Sequence, residues 1–213
     1  MSILDLAGIG KSYGRKVVFA DVTATITEGL TLLTGPSGAG KSTLLRLVAT
    51  AERPSCGRLS WDGRLLPAAR RDLRAALGYA PQAVDLPDDL SGREFARYIA
   101  ALKGLDLAAA DRQFGAITEA IGLHADINQR IATYSGGMRR RLVFAQALLC
   151  TPRLVILDEP TAELDPDTAA KVSALIAAQA KTAVVVMTTH LSDRLDEHVS
   201  ATWHVTDGVV VTQ

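Results

Sequence analysis

Gly35-Pro36-Ser37-Gly38-Ala39-Gly40-Lys41-Ser42 decides how this chain is read. The octapeptide fills every fixed position of the pattern G-x-x-x-x-G-K-[ST]. It lies between a short apolar run, residues 30–34, and a stretch with helical spacing, residues 41–51. Strand, glycine loop, helix is the order in which a chain builds a phosphate cradle. The glycines let successive N–H groups turn inward with no Cβ in the way, the helix N-terminus adds partial positive charge, and Lys41 reaches the outer phosphates. Ser42 is expected to ligate Mg²⁺. The loop by itself leaves kinase, GTPase and ATPase open.

Outward from the loop, residues 154–159 read Leu-Val-Ile-Leu-Asp-Glu, an apolar strand ending in two acids. Strand ends of open α/β sheets are where ligands bind, so Asp158 can hold the metal and Glu159 can polarise an attacking water. A plain strand followed by a solvated acidic turn spells the same residues. General-base help contributes ~10²- to 10⁴-fold in rate, and the second acid therefore argues for hydrolysis. Shortly before this strand, Ser135-Gly136-Gly137 opens a helix whose apolar face includes Leu142, Ala145 and Leu149. It reads either as an ordinary capped helix or as a second anion site. A bound nucleotide has one γ-phosphate, which the first loop already takes, so a second site makes sense if it serves a nucleotide held by another copy.

Residues 2–26 read as extended with a turn around Gly14, and residues 57–62 as a strand closed by an Asp62-Gly63 turn. Ser91-Gly92-Arg93-Glu94 resembles a capping box, Phe95, Tyr98, Ile99 and Leu102 mark one helical face, and residues 108–121 are helical. Residues 84–149, approximately, form a helical insert in one α/β domain spanning 1–213, because strand signals vanish there and return at 154–157 and 183–188. Near-continuous apolar strands alternating with helices imply a largely parallel sheet covered on both faces.

The whole composition fits one core. The chain has 213 residues, 48% hydrophobic and 22% charged, with 23 Lys plus Arg against 23 Asp plus Glu. Disorder is excluded. So is a protein held to nucleic acid by counterion release, since no basic excess exists. Cys56 and Cys150 form no disulfide or metal spacing and are expected to be small buried residues of a chain in a reducing compartment. The N-terminus meets Asp5 before a signal-peptide core forms, and no apolar run approaches the ~20 residues of a membrane span. The chain is expected to be soluble.

Taken together, the phosphate loop, Ser135-Gly136-Gly137, Asp158-Glu159, Leu164-Asp165 and His190, in this order and spacing, resemble the nucleotide-binding domain of ABC (ATP-binding cassette) transporters. The resemblance spans about residues 3–211. It implies a P-loop NTPase fold with a mostly parallel sheet, an N-terminal antiparallel β region and a helical subdomain. It also implies a head-to-tail dimer, with itself or a similar ATPase subunit, that sandwiches two ATP molecules with Mg²⁺. Each ATP would lie between Gly35 through Thr43 of one subunit and Ser135, Gly136 and Gly137 of the other. Tyr13 falls where an aromatic stacks on adenine. Gln82 matches the glutamine that touches metal and water, Asp165 the aspartate crossing the dimer interface, and His190 the histidine at the γ-phosphate. Catalysis would fall to Glu159, His190 and Gln82, and metal binding to Ser42, Gln82 and Asp158. The subunit would be cytoplasmic, peripheral to the inner face of the cell membrane, and would power transport through a transmembrane permease subunit. A soluble ABC-type ATPase, for example in iron-sulfur cluster assembly, is the alternative.

Three departures stand out. Tyr134 and Met138 flank the Ser-Gly-Gly element where the family has Leu and Gln, and Glu163 replaces a small residue before Leu164-Asp165. Arg139, Arg140 and Arg141 look like the export-type branch and are expected to form a solvated face. Residues 83–90, where Val84, Leu86 and Leu90 alternate with acids and prolines, either pack these three side chains onto their own domain or, as the resemblance implies, form one wall of a groove for a short helix of the permease.

Overall fold

The structure, a computed structural model, describes residues 3–83, 85–189 and 195–212. Val84 and His190 lie outside the described residues.

Two sheets share one molecule. Strands β1 (Ile3–Tyr13) and β2 (Lys16–Thr27) pair antiparallel across Gly14, which sits at φ 58°, where only glycine is unstrained. With β4 (Cys56–Trp61) and the two-residue β5 (Arg64–Leu65) they form a four-stranded sheet in the order β2-β1-β4-β5. Asp62 and Gly63, linking the last two, both have positive φ, the signature of a tight hairpin turn.

The second sheet contains β3 (Gly29–Thr34), β6 (Leu77–Ala80), β7 (Leu154–Asp158), β8 (Val184–Thr188), β9 (Val199–Thr206) and β10 (Val209–Thr212). Their order is β10-β9-β3-β8-β7-β6, parallel throughout except for the final β9–β10 pair. The central strands are buried on both faces, and their side chains divide between two cores. Leu154 and Ile156 join the core shared with the antiparallel sheet and α1 (Lys41–Val48), whereas Val155 and Leu157 join the core shared with α5 (Gly136–Ala147) and α6 (Pro166–Ala180). Burying each such side chain is worth ~1.5–3 kcal/mol, which is why these strands read as unbroken apolar runs. The fold is therefore mixed α/β, with an antiparallel sheet and a mostly parallel one.

Between β6 and β7 the elements are helical: α3 (Gly92–Leu102), α4 (Leu107–Ala120), α5 and short 3-10 turns. Ser91 caps α3 with the full reciprocal box: the Glu94 amide donates to its hydroxyl at 3.2 Å and its own amide donates to the Glu94 carboxylate at 2.8 Å. The expected apolar face of α3 is divided. Gly92, Ala96 and Ala100 form the buried stripe, with Phe95 packed beside it, while Tyr98 and Leu102 are 55% and 67% exposed. At Gly92 Tyr134 lies so close that a Cβ would stand 2.5 Å from its hydroxyl.

Other expectations change. Leu86 is buried and Leu90 packs against the same core, while Ala83 and Leu86 also line a cavity of about 210 Å³ together with Gln82 and Gly136. Cys56 is exposed on β4, not buried; Cys150 is partly buried, and burial pushes its thiol up. The arginine run is engaged: Arg139 pairs with Asp88 at 2.5 Å, Arg140 with Glu163 at 3.5 Å, and Arg141 donates to the Gly122 carbonyl at 2.7 Å. Strands β6, β9 and β10, helix α6 and the short α2 (Arg70–Ala76) were not anticipated. Among the described residues no helix is long and apolar enough to cross a membrane.

Candidate nucleotide site

Three features shape the glycine loop. Gly35 sits at φ 127°, and a Cβ there would stand 2.0 Å from the Val205 carbonyl oxygen, so the loop can leave β3 only against bare backbone. Gly40 caps α1 at φ 107°, pressed against Val18 and Phe19. Lys41 folds back over the loop, its Nζ donating to the carbonyls of Gly35 at 2.8 Å and Pro36 at 3.0 Å.

Topology brings the second half of the site alongside. In the sheet, β8 separates β3 from β7, and all three run parallel, so the loop after β3 and the acids after β7 leave the same edge. A cavity of about 220 Å³ is lined by Lys41, Ser42 and Thr43 together with Gln82, Asp158 and Glu159. These are the residues the sequence singled out, from three separate segments.

Both acids are buried. Thr188, paired with Asp158 across the β7–β8 ladder, orients them: its hydroxyl donates to Asp158 Oδ1 at 2.7 Å and accepts from the Glu159 amide at 3.0 Å. Glu159 lies at φ 53°, an unusual backbone conformation for a side chain of this size. From α5, Arg140 donates to the Glu159 carbonyl at 3.2 Å. Sequence reasoning missed Thr188 and Arg140, because only pairing register and helix placement reveal them. Burial, followed by the charge of Asp158, pushes the Tyr79 hydroxyl up.

A second cavity, about 560 Å³, continues from the loop and is lined by Tyr13, Lys16 and Val18 beside Pro36, Ala39 and Gly208. Ser37, Gly38, Gly40 and Thr43 line both. Tyr13 thus lines the same cavity as the phosphate loop.

The Ser-Gly-Gly element is elsewhere in the chain. Ser135 caps α5, its hydroxyl accepting from the Met138 amide at 3.3 Å. Gly136 lines a third cavity, about 210 Å³, with Arg140, Glu163 and Gln82, and Gln82 is the residue this cavity shares with the first. Asp165 caps α6, accepting from the Thr168 amide at 2.9 Å; hydrogen bonding by Thr168 holds its carboxyl below the usual range.

The donor set suits a hard cation. Ser42, Gln82 and Asp158 supply hydroxyl, amide and carboxylate oxygen to one cavity, the chemistry Mg²⁺ prefers. Positive-φ glycines and an ammonium on the loop suit a polyphosphate.

Known proteins place this site in a family. The family model described as ABC transporter matches residues 19–162. The Nod factor export ATP-binding protein I of Rhizobium johnstonii is 35% identical over 195 residues, covering 91% of this chain and 63% of that protein. The protein of that name from Sinorhizobium fredii is 39% identical over 168 residues, covering 76% and 48%. The chain thus spans less than two thirds of these relatives' length. A solved ATP-binding subunit of an ABC transporter superposes with a TM-score of 0.90 at 25% identity, over 99% of this chain and 89% of that one. A dimeric ATP-binding cassette in a post-hydrolysis state with ADP and Pi gives 0.88 at 22% identity, over 99% and 97%, a likeness of fold. With most of its length inside the family match and its loop and paired acids in one cavity, this chain belongs to the ABC transporter family.

Proposed function

We propose that this chain is the ATP-binding and ATP-hydrolysing subunit of an ABC transporter, powering export through a partner membrane subunit. The observation that carries the reading is the single cavity joining Lys41 and Ser42 to Asp158 and Glu159. In this reading the loop's N–H groups and Lys41 hold the β- and γ-phosphates, and Tyr13 carries the adenine. Ser42, Asp158 and Gln82 would hold Mg²⁺, which when bound neutralises charge on the phosphate oxygens. Water adds to the γ-phosphorus as its bond to the ADP oxygen breaks, and the Glu159 carboxylate, oriented from both sides of its backbone, accepts the proton.

The chain as a whole would act as one ATP-binding domain with a helical insert at about 84–149. Ser135, Gly136 and Gly137, at the N-terminus of α5 and apart from the chain's own phosphate loop, would meet the nucleotide of a second subunit, with Asp165 at that interface. His190 would contact the γ-phosphate. Such a subunit would be cytoplasmic and peripheral to the membrane. The export proteins among the relatives support transport over the soluble iron-sulfur alternative.

Glu159→Gln tests the core of the reading. It keeps size and hydrogen bonding but cannot accept the proton, so turnover should fall by ~10²-fold or more while ATP binding persists. Steady-state phosphate release beside equilibrium nucleotide binding measures both. Normal turnover would remove Glu159 from the chemistry.

A further inference from the structure

Tyr13 is held by a network the phosphate loop does not require. Its hydroxyl donates to Glu52 Oε2 at 2.5 Å, across 39 positions of sequence. The other Glu52 oxygen accepts from Arg46 Nε at 2.6 Å, and Lys11 Nζ pairs with Oε2 at 2.9 Å. The same ammonium stands 4.7 Å from the Tyr13 ring centroid, so one face of the ring is covered by a cation. Lys11 is not among the residues lining the cavity beside the loop, whereas Tyr13 is. Arg46, on α1, also donates to Thr43 Oγ1 at 3.1 Å, and Thr43 lines both cavities.

We infer that Glu52 is a positioning residue for the nucleotide base: through the Tyr13 hydroxyl it fixes the plane of the ring, and through Arg46 it sets that plane at a constant distance from the phosphate-binding helix. The inference rests on the reading of Tyr13 as the base platform. An exposed tyrosine at a strand end otherwise samples several rotamers, and ordering it only when ligand arrives weakens binding. Glu52 orders it beforehand. Burial favours the neutral acid, yet hydrogen bonds from Tyr13, Lys11 and Arg46 outweigh it and hold the carboxyl at about 2, so the acceptor is anionic at neutral pH.

The test measures equilibrium affinity of the full chain for ATP and for inorganic tripolyphosphate, which has no base. Glu52→Ala and Tyr13→Phe should each weaken ATP between about twofold and tenfold, the loss expected for one side chain no longer pre-ordered, and leave tripolyphosphate unchanged. The double variant should lose no more than either single one, since both break the same link. Glu52→Gln, which keeps a carbonyl to accept the hydroxyl, should recover at least half of the loss. Equal weakening of tripolyphosphate, additive losses, no recovery by Gln or no effect at all would each overturn the role. Tyr13→Ala separates the two levels: if it weakens ATP but Glu52→Ala and Tyr13→Phe do not, only the positioning role fails. If Tyr13→Ala leaves ATP affinity intact, the base lies elsewhere and the underlying reading fails.

Discussion

Thr188 shows how much one hydroxyl can organise. It donates to Asp158 and accepts from the Glu159 amide, so the two buried acids are tied to the same atom of a neighbouring strand. Replacing it with Val keeps the volume and β-branching and leaves the buried Asp158 oxygen without that donor. The expected cost is about 1–3 kcal/mol of stability, with hydrolysis falling further than nucleotide affinity. Thr188→Ser should retain most of both. Chemical denaturation and phosphate release on the pair of variants would check this; loss in Ser with none in Val would show that the methyl, not the hydroxyl, matters.

At the level of elements, Glu52 ties the end of β1 to α1 through Tyr13, Lys11 and Arg46. Its carboxyl is depressed in the folded chain from an ordinary 4.5 to about 2. Folding therefore gains from the ionised form above about pH 4.5, and the gain disappears as pH falls through about 2. The stability difference between the native chain and Glu52→Gln should be constant near neutrality, shrink below about pH 4.5 and vanish near pH 2. Urea unfolding across that range measures it; a difference independent of pH would mean that the charge of Glu52 contributes nothing. Helix α3 carries a second lesson at this scale. Its sequence shows an apolar face, but the helix packs through Gly92, Ala96 and Ala100 and leaves Tyr98 and Leu102 outward.

For the whole molecule, the cavity lined by Gly136 contains none of the phosphate-loop residues, which makes complementation the decisive experiment. Ser135→Arg should preserve nucleotide binding by the single subunit yet abolish hydrolysis, whereas Lys41→Ala should lose nucleotide binding. Mixing the two inactive variants should restore activity at one composite site, read as phosphate release against mixing ratio; hydrolysis by Ser135→Arg alone would exclude the shared site. The exposed apolar side chains of α3, Tyr98 and Leu102, bear on the proposed membrane partner, because solvent-exposed apolar side chains grouped on one helix mark contact surfaces. Tyr98→Asp combined with Leu102→Asp should reduce co-purification with the membrane subunit and leave isolated folding and ATP binding unchanged. Unaltered assembly would direct attention to another face.

The glycine loop, the acids after an apolar strand, the Asp62-Gly63 turn and the Ser91 capping box were legible in the sequence because each is specified by neighbouring residues: positive φ, a missing Cβ, a cap within one turn. Strand β6 was not, since its Gly78 is explained only by the close approach of the Ala147 carbonyl, 1.8 Å from where a Cβ would stand. Leu86 stands between acids and prolines, and only the tertiary structure places it in the core of the helical insert. The Thr188 bridge depends on register between β7 and β8, the Tyr13–Glu52 link on contact across distant segments, and the convergence of loop and acids on strand order. Local sequence carries backbone conformation and chemical type. Which of those groups meet is decided by packing, through the burial of both faces of the six-stranded sheet.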